Sequence, residues 1–248
     1  MTSYRLRPRV ARLLRAVTGP LYLPLRALFV RATHSVWSPD IVLDYWRNPE
    51  TRDHDNDPQH YLQGAQRSGF LLNLIRANVP TDARVLEVGC NVGRNLNHLL
   101  AAGYRNLTGI EINANAIALL RRSYPELARS ATLINSSLED AAPKLRDGEF
   151  DAVYTMAVLM HIHPQSDWVL EHLARATRSI IITIEDEVFT GGRVFARNYR
   201  RIFEGFGFHQ VYETNCAHVP GLGDSYTARV LSRPTVAPAS PAAGRNSA

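Results

Sequence analysis
An apolar run that breaks on a glycine turn, Val85-Leu-Glu-Val-Gly-Cys-Asn-Val-Gly-Arg-Asn95, and a second run that ends on an acid, Leu107-Thr-Gly-Ile-Glu-Ile112, constrain this chain more than any other feature. Short, uniformly apolar runs suit strands covered on both faces, as in a parallel sheet with crossover helices. A strand, a turn that opens a helix and a second strand put the glycine turn and the acid at one sheet edge. In open α/β sheets that edge, beyond the carboxyl ends of the strands, is where ligands bind. Glu111 follows Gly89 by 22 residues, a spacing at which a carboxylate can grip the hydroxyls of a ribose.

The turn discriminates among nucleoside ligands. A dinucleotide site needs G-x-G-x-x-G, because the pyrophosphate lies against bare backbone and the helix packs closely on the strand. From Gly89 this chain reads Gly89-Cys90-Asn91-Val92-Gly93-Arg94, so the second and third glycines are missing. No G-x-x-x-x-G-K-[ST] stretch occurs, which excludes a P-loop. The pattern E-x-G-C-N-x-G followed by G-I-E-I resembles the class I, Rossmann-like methyltransferases that use S-adenosylmethionine, and the resemblance runs over about residues 59–234. It implies that Glu87, Gly89, Cys90, Asn91 and Gly93 line the methionine part of that cofactor and that Glu111, with Ile112 beside it, binds the ribose. Asn91 stands where many members have glycine. Asparagine tolerates left-handed backbone better than most side chains, so the turn can keep its shape.

With 248 residues, 45% apolar and 21% charged, the chain suits one well-buried globular domain with appendages. Cys90 and Cys216 match no metal or redox spacing, which fits a reduced, cytoplasmic setting. The formal net charge of +5 is uneven, because residues 1–39 hold seven arginines and no acid. The remainder is close to neutral and shows no basic groove with interleaved aromatics, which disfavours a nucleic-acid partner.

Four regions follow from these shifts: a basic amphipathic arm at 1–36, a polar connector at 37–58, the methyltransferase domain at 59–234 and a low-complexity tail at 235–248, expected to be disordered. In the arm, Leu6, Val10, Leu13, Leu14 and Val17 share a helical stripe that excludes Arg5, Arg7, Arg12 and Arg15. Such an arm can pack on its own domain or a subunit neighbour, or make a peripheral contact with the inner face of a membrane. Its apolar stretch at 19–30 is too short, and too broken by Pro20, Pro24 and Arg26, to span a bilayer. In the connector, Asp53-His-Asp-Asn-Asp57 reads as a solvated loop rather than a metal site, because consecutive side chains diverge. A helix is predicted over 59–79. Strands are predicted at 84–88, 107–112, 132–135, 152–156, 179–184, 209–213 and 228–232, with helices near 92–102, 114–123, 167–176 and 193–206. The fold class is therefore α/β, a doubly wound, mostly parallel seven-stranded sheet closing in a C-terminal antiparallel hairpin.

The resemblance assigns the remaining site residues. Leu138 and Glu139, after the third strand, match the positions that meet the adenine, although Ser136 or Ser137 followed by acids is also an ordinary helix start. Met156 and Ala157, after the fourth strand, flank the sulfonium, and Arg67 and Tyr61 on the preceding helix can reach the methionine carboxylate. His161 and His163 stand where an acceptor hydroxyl arrives. An imidazole suits the removal of its proton. Glu185, Asp186 and Glu187 end the fifth strand on the acceptor side, where they can orient a polyol, assist the histidine, hold a divalent metal or form a plain charged loop. The expected function is S-adenosylmethionine-dependent O-methylation of a small-molecule or glycan acceptor: a sugar, a glycolipid headgroup or a natural-product hydroxyl. The rival readings are a methyltransferase acting on RNA or protein, where the lack of an N-P-P-[YF] stretch disfavours amide and exocyclic-amine methylation of the nucleic-acid type, and a non-catalytic module that kept the fold.

Overall fold
A computed structural model describes residues 37–52 and 54–234. The arm at 1–36 and the tail at 235–248 lie outside them. Seven strands form a single sheet in the order β3-β2-β1-β4-β5-β7-β6, with β1 at Arg84–Val88, β2 at Asn106–Glu111, β3 at Thr132–Asn135, β4 at Phe150–Met156, β5 at Thr177–Asp186, β6 at His209–Asn215 and β7 at Tyr226–Ser232. The first five strands run parallel, and β7 is antiparallel to both β5 and β6. The doubly wound sheet with a reversed final hairpin is thus as the sequence predicts. Strand order reverses between β1 and β4, and this switch point is where the glycine turn emerges.

The helices are α1 (Pro39–Arg47), α2 (Ala65–Asn78), α3 (Arg94–Ala101), α4 (Ala114–Ser123), α5 (Pro125–Ser130), α6 (Leu138–Ala141), α7 (Trp168–Ala176) and α8 (Tyr199–Gly205). Side-chain alternation splits β1 between two cores. Val85 packs with Leu71 and Ile75 of α2 and Leu96 and Leu99 of α3. Leu86 and Val88 face the opposite side with Leu138 of α6, Leu173 of α7 and Phe203 of α8. Each such side chain, fully buried, contributes about 1.5–3 kcal/mol, so the strand that carries the turn is anchored from both faces. Glu87 lies on the α2/α3 side, and its burial there is a deliberate exception to an apolar core.

Several boundaries differ from the expectations. The helix predicted over 59–79 is a short 3-10 turn at Pro58–Leu62, a break at Gly64 with φ 93°, and then α2. The helix predicted at 92–102 starts only at Arg94, because Gly93 is left-handed with φ 73°. The segment read as 193–206 is helical only from Tyr199, capped by Asn198, whose side chain accepts from Arg201 N. The largest departure is the connector. Read as polar and turn-rich, it holds α1, with Val42 and Tyr45 buried, followed by 3-10 turns at Pro49–Thr51 and His54–Asn56. Among the described residues no helix is long and apolar enough to cross a membrane.

Candidate cofactor and acceptor site
The turn after β1 is built to bring bare backbone to the sheet edge. Gly89 has φ 70°, Asn91 φ 47° and Gly93 φ 73°, so the asparagine adopts the left-handed geometry that its position requires. A Cβ on Gly89 would lie 2.4 Å from Val158, and one on Gly93 would lie 2.5 Å from Leu120. Glu111 closes the turn from β2. Its carboxylate accepts from Asn91 N at 2.9 Å and Asn113 N at 2.8 Å, while burial raises its pKa above the usual value. The turn and the acid therefore meet directly, as the spacing of 22 residues anticipates.

Behind the turn Glu87 joins a polar layer whose other members, Arg94, Asn95 and Ser68, sequence reading missed. Glu87 accepts from Asn95 Nδ2 at 2.8 Å, and burial pushes its pKa up to about 8. Arg94 is also buried. It donates to Ser68 Oγ at 2.8 Å, to Tyr61 O at 2.9 Å and to Gln63 O at 2.5 Å, clamping the start of α2 to the glycine turn. A guanidinium fork can satisfy three such acceptors at once. This function was invisible in the sequence, where Arg94 counts only as a missing glycine. Cys90 is buried with its thiol pKa well raised by desolvation, which makes it a packing residue.

A cleft of about 1270 Å³, open mouth included, runs from this turn across the carboxyl ends of β2, β3 and β4. It is lined by Glu87, Gly89, Cys90, Asn91, Glu111, Ile112, Leu138, Glu139, Met156 and Ala157, and by Arg67 from α2. Arg67 has its Nε buried without a hydrogen-bond partner. Ser137 caps α6, accepting from Asp140 N at 3.1 Å, so the helix-start reading of this loop holds while Ser136, Leu138 and Glu139 also face the cleft. Ala157 is left-handed with φ 57°, and its N–H donates to Ile184 O at 2.9 Å. That kink turns the chain out of β4 toward the two histidines.

His161 and His163 both line the cleft, in different states. Nδ1 of His161 lies 2.9 Å from the carbonyl oxygen of Arg193. A carbonyl only accepts, so Nδ1 carries the proton and Nε2 keeps its lone pair. Burial, reinforced by the Arg193 charge, lowers its pKa to about 4, so the ring is neutral at pH 7. His163 is the opposite tautomer. Its Nδ1 accepts from Gln165 N at 3.1 Å, which leaves the proton on Nε2. His161 can take a proton from a ligand, whereas neutral His163 offers one.

The far wall is α1. Val42, Leu43 and Trp46 face the cleft, and the Trp46 ring lies 4.4 Å from the His161 ring, centroid to centroid. Arg193 holds the helix in place by stacking over Tyr45 at 4.3 Å, so one residue fixes both the wall and the histidine tautomer. The apolar spacing of Val42, Leu43 and Trp46 was the available signal, masked by the flanking prolines and charges.

The carboxylates at 185–187 also depart from expectation. Glu185 does not face the cleft. It is fully buried and accepts from Thr155 Oγ1 at 2.7 Å and from the N–H groups of Val158, Leu159 and Met160 at 3.0–3.2 Å, with burial raising its pKa to about 7. Asp186 accepts from Val188 N, Phe189 N and Ser225 Oγ, and Glu187 pairs with Arg229 at 2.7 Å. All three are committed to their neighbours, so a catalytic, polyol-binding or metal-holding role for Glu185 has no free oxygen to work with. Among the described residues no group of three or more His, Cys, Asp or Glu side chains could hold a metal ion.

Residues 85–179 match the family model of a methyltransferase domain. Over 139 residues the chain is 25% identical to an O-methyltransferase of Pyrenophora dematioidea and 27% identical to an O-methyltransferase of Aspergillus nomiae. Each alignment covers 56% of this chain, and 49% and 58% of those proteins respectively, so the chain spans about half the length of the curated relatives it matches. Among solved structures, magnesium protoporphyrin IX methyltransferase of Synechocystis PCC 6803 with bound SAH superposes with a TM-score of 0.60 at 19% identity, over 79% of this chain and 100% of that one. 1,6-Didemethyltoxoflavin-N1-methyltransferase of Burkholderia thailandensis gives 0.58 at 17% identity, over 80% and 92%. The [4+2]-cyclase SpnF gives 0.54 at 16% identity, over 68% and 81%. At such identities these structures share a fold, and the fold alone does not fix the reaction.

Proposed function
The chain carries a methyltransferase domain on a class I, Rossmann-like fold, and from that premise we propose that it methylates an oxygen of a small-molecule acceptor, with S-adenosylmethionine as donor and His161 as the proton acceptor. One observation carries the reading: the glycine turn with Glu111 and the His161 imidazole line the same cleft. The residues present fit the cofactor. Arg67 brings a cation with a buried, unpartnered Nε into the cleft, as an amino-acid carboxylate requires. Gly89, Asn91 and Gly93 let backbone approach closely, Glu111 suits a ribose diol, and Leu138 and Glu139 suit the adenine. Met156 and Ala157 stand between that half and the acceptor half.

S-adenosylmethionine supplies an electrophilic methyl group on a sulfonium that is its own leaving group. The protein's share is alignment, exclusion of water and removal of one proton. His161 serves the last task because Arg193 O holds the proton on Nδ1 and leaves Nε2 free. Its low basicity is tolerable. The hydroxyl proton becomes far more acidic as the oxygen is alkylated, so an imidazole near 4 still accepts it. His163 holds its proton on Nε2, which suits it to orient an acceptor oxygen rather than to act as base. Transfer to oxygen is also the activity named for the two curated relatives.

The test is titration calorimetry with S-adenosylhomocysteine, followed by turnover of His161→Asn on any acceptor the wild type methylates. Binding is expected, with turnover in the variant reduced by roughly 10²–10⁴, the usual weight of a general base, and with product affinity retained. No binding by the wild type would remove the reading. Full turnover by the variant would remove His161 from it.

A further inference from the structure
The acceptor half of the cleft is chemically uneven, and this narrows what it can hold. Pro39, Val42, Leu43 and Ile162 present hydrocarbon. The carboxylates that the sheet edge could have offered are used elsewhere, by the 158–160 backbone, by the 188–189 turn with Ser225, and by Arg229. Helix α1 adds one polar group of its own to the lining. The indole Nε1 of Trp46 is buried without a hydrogen-bond partner, and its ring lies 4.4 Å from that of His161.

Resting on the methyl-transfer reading above, we propose that this half binds a phenolic hydroxyl on a flat aromatic scaffold, its faces against the hydrocarbon of Val42, Leu43 and Ile162, with the Trp46 Nε1–H donating to a second oxygen of the same scaffold. A sugar is the poorer match. It would carry several hydroxyls into a wall with few partners, and each buried polar group left unpaired costs about 1–3 kcal/mol. A flat ring loses nothing by meeting hydrocarbon on its faces. Proton chemistry points the same way. A phenol with a pKa of about 10 asks much less of a weak imidazole base than an alcohol whose hydroxyl is closer to water at about 15.7.

The experiment titrates the protein saturated with S-adenosylhomocysteine against para-hydroxyacetophenone, phenol and methyl glucoside by calorimetry, with Trp46→Phe and Trp46→Ala alongside. The two aromatic hydroxyls are expected to bind and the glucoside to show no heat. Trp46→Phe keeps an aromatic face but no N–H, and should weaken hydroxyacetophenone by about tenfold, more than it weakens phenol. Trp46→Ala should weaken both. Glucoside binding in preference to the phenols, or a loaded protein that binds no phenol, overturns the aromatic assignment while leaving methyl transfer intact. An equal loss for both phenols in Trp46→Phe overturns the Nε1 contact. Absence of S-adenosylhomocysteine binding at the outset is a different failure, which takes the methyl-transfer reading down and this inference with it.

Discussion
The tautomer and burial of His161 make a quantitative claim about pH. An imidazole near 6.5 when unfolded and about 4 when folded is neutral in the native state wherever the unfolded chain would begin to take up a proton. The sign follows: this group's contribution is fully present above about 6.5 and is lost as pH falls toward 4. At about 1.36 kcal/mol per pH unit of separation, the loss between pH 7 and pH 4.5 is roughly 2–3 kcal/mol. Glu87 at about 8 and Glu185 at about 7 act in the opposite sense, with stability that is present below 4.5 and lost as pH rises through those values. The wild-type curve alone therefore mixes the three. His161→Asn removes the imidazole while its amide can still donate to Arg193 O. Urea unfolding of both proteins at pH 7, 6, 5 and 4.5 isolates the histidine in their difference. The advantage of wild type over variant should shrink by about 2–3 kcal/mol across that range, and the acid limb of kcat/KM should sit near 4. Parallel stability curves, or an acid limb at the ordinary histidine position, would refute a buried, neutral His161.

Three further perturbations have directions set by single contacts. Arg67→Met should weaken S-adenosylhomocysteine by about 10- to 100-fold, the weight of a hydrogen bond to a charged group, with little change in the melting transition because its Nε has no partner to lose; unchanged calorimetric affinity would place the carboxylate elsewhere. Gly93→Ala combines a left-handed backbone with a Cβ 2.5 Å from Leu120 and should cost about 1–3 kcal/mol in urea unfolding; a wild-type midpoint would contradict the tight turn. Glu185→Leu leaves the N–H groups of Val158, Leu159 and Met160 without their acceptor, and should cost about 3 kcal/mol or more. Wild-type thermal stability in that variant would mean the loop does not depend on the carboxylate.

The parts of this molecule that were legible in the sequence are those whose signals are local. β1, the turn and the acid of β2 form one short unit, where glycine, asparagine and glutamate each do something no apolar residue could do at that position. The closing hairpin was legible because a Pro/Gly loop, and no helix, joins its strands. The unread parts depend on distant partners. Helix α1 looks like a polar connector until Arg193 stacks on Tyr45 and turns its apolar face inward. Glu185, Asp186 and Glu187 look available at a strand end until the 158–160 backbone, Ser225 and Arg229 are folded against them. The roles of the histidines were equally hidden, because Arg193 O and Gln165 N decide which nitrogen carries each proton.

The committed state of those three strand-end acids has a practical consequence for anyone wishing to retarget the protein. Residues 185–187 rivet the 158–160 and 188–189 segments and the closing hairpin to the sheet, so substitutions there would loosen the scaffold before they changed which molecule it prefers. Val42, Leu43, Trp46 and Ile162 hold no other segment by a hydrogen bond from their side chains. Libraries confined to those four positions can vary selectivity while Glu111 and the glycine turn are left as they are.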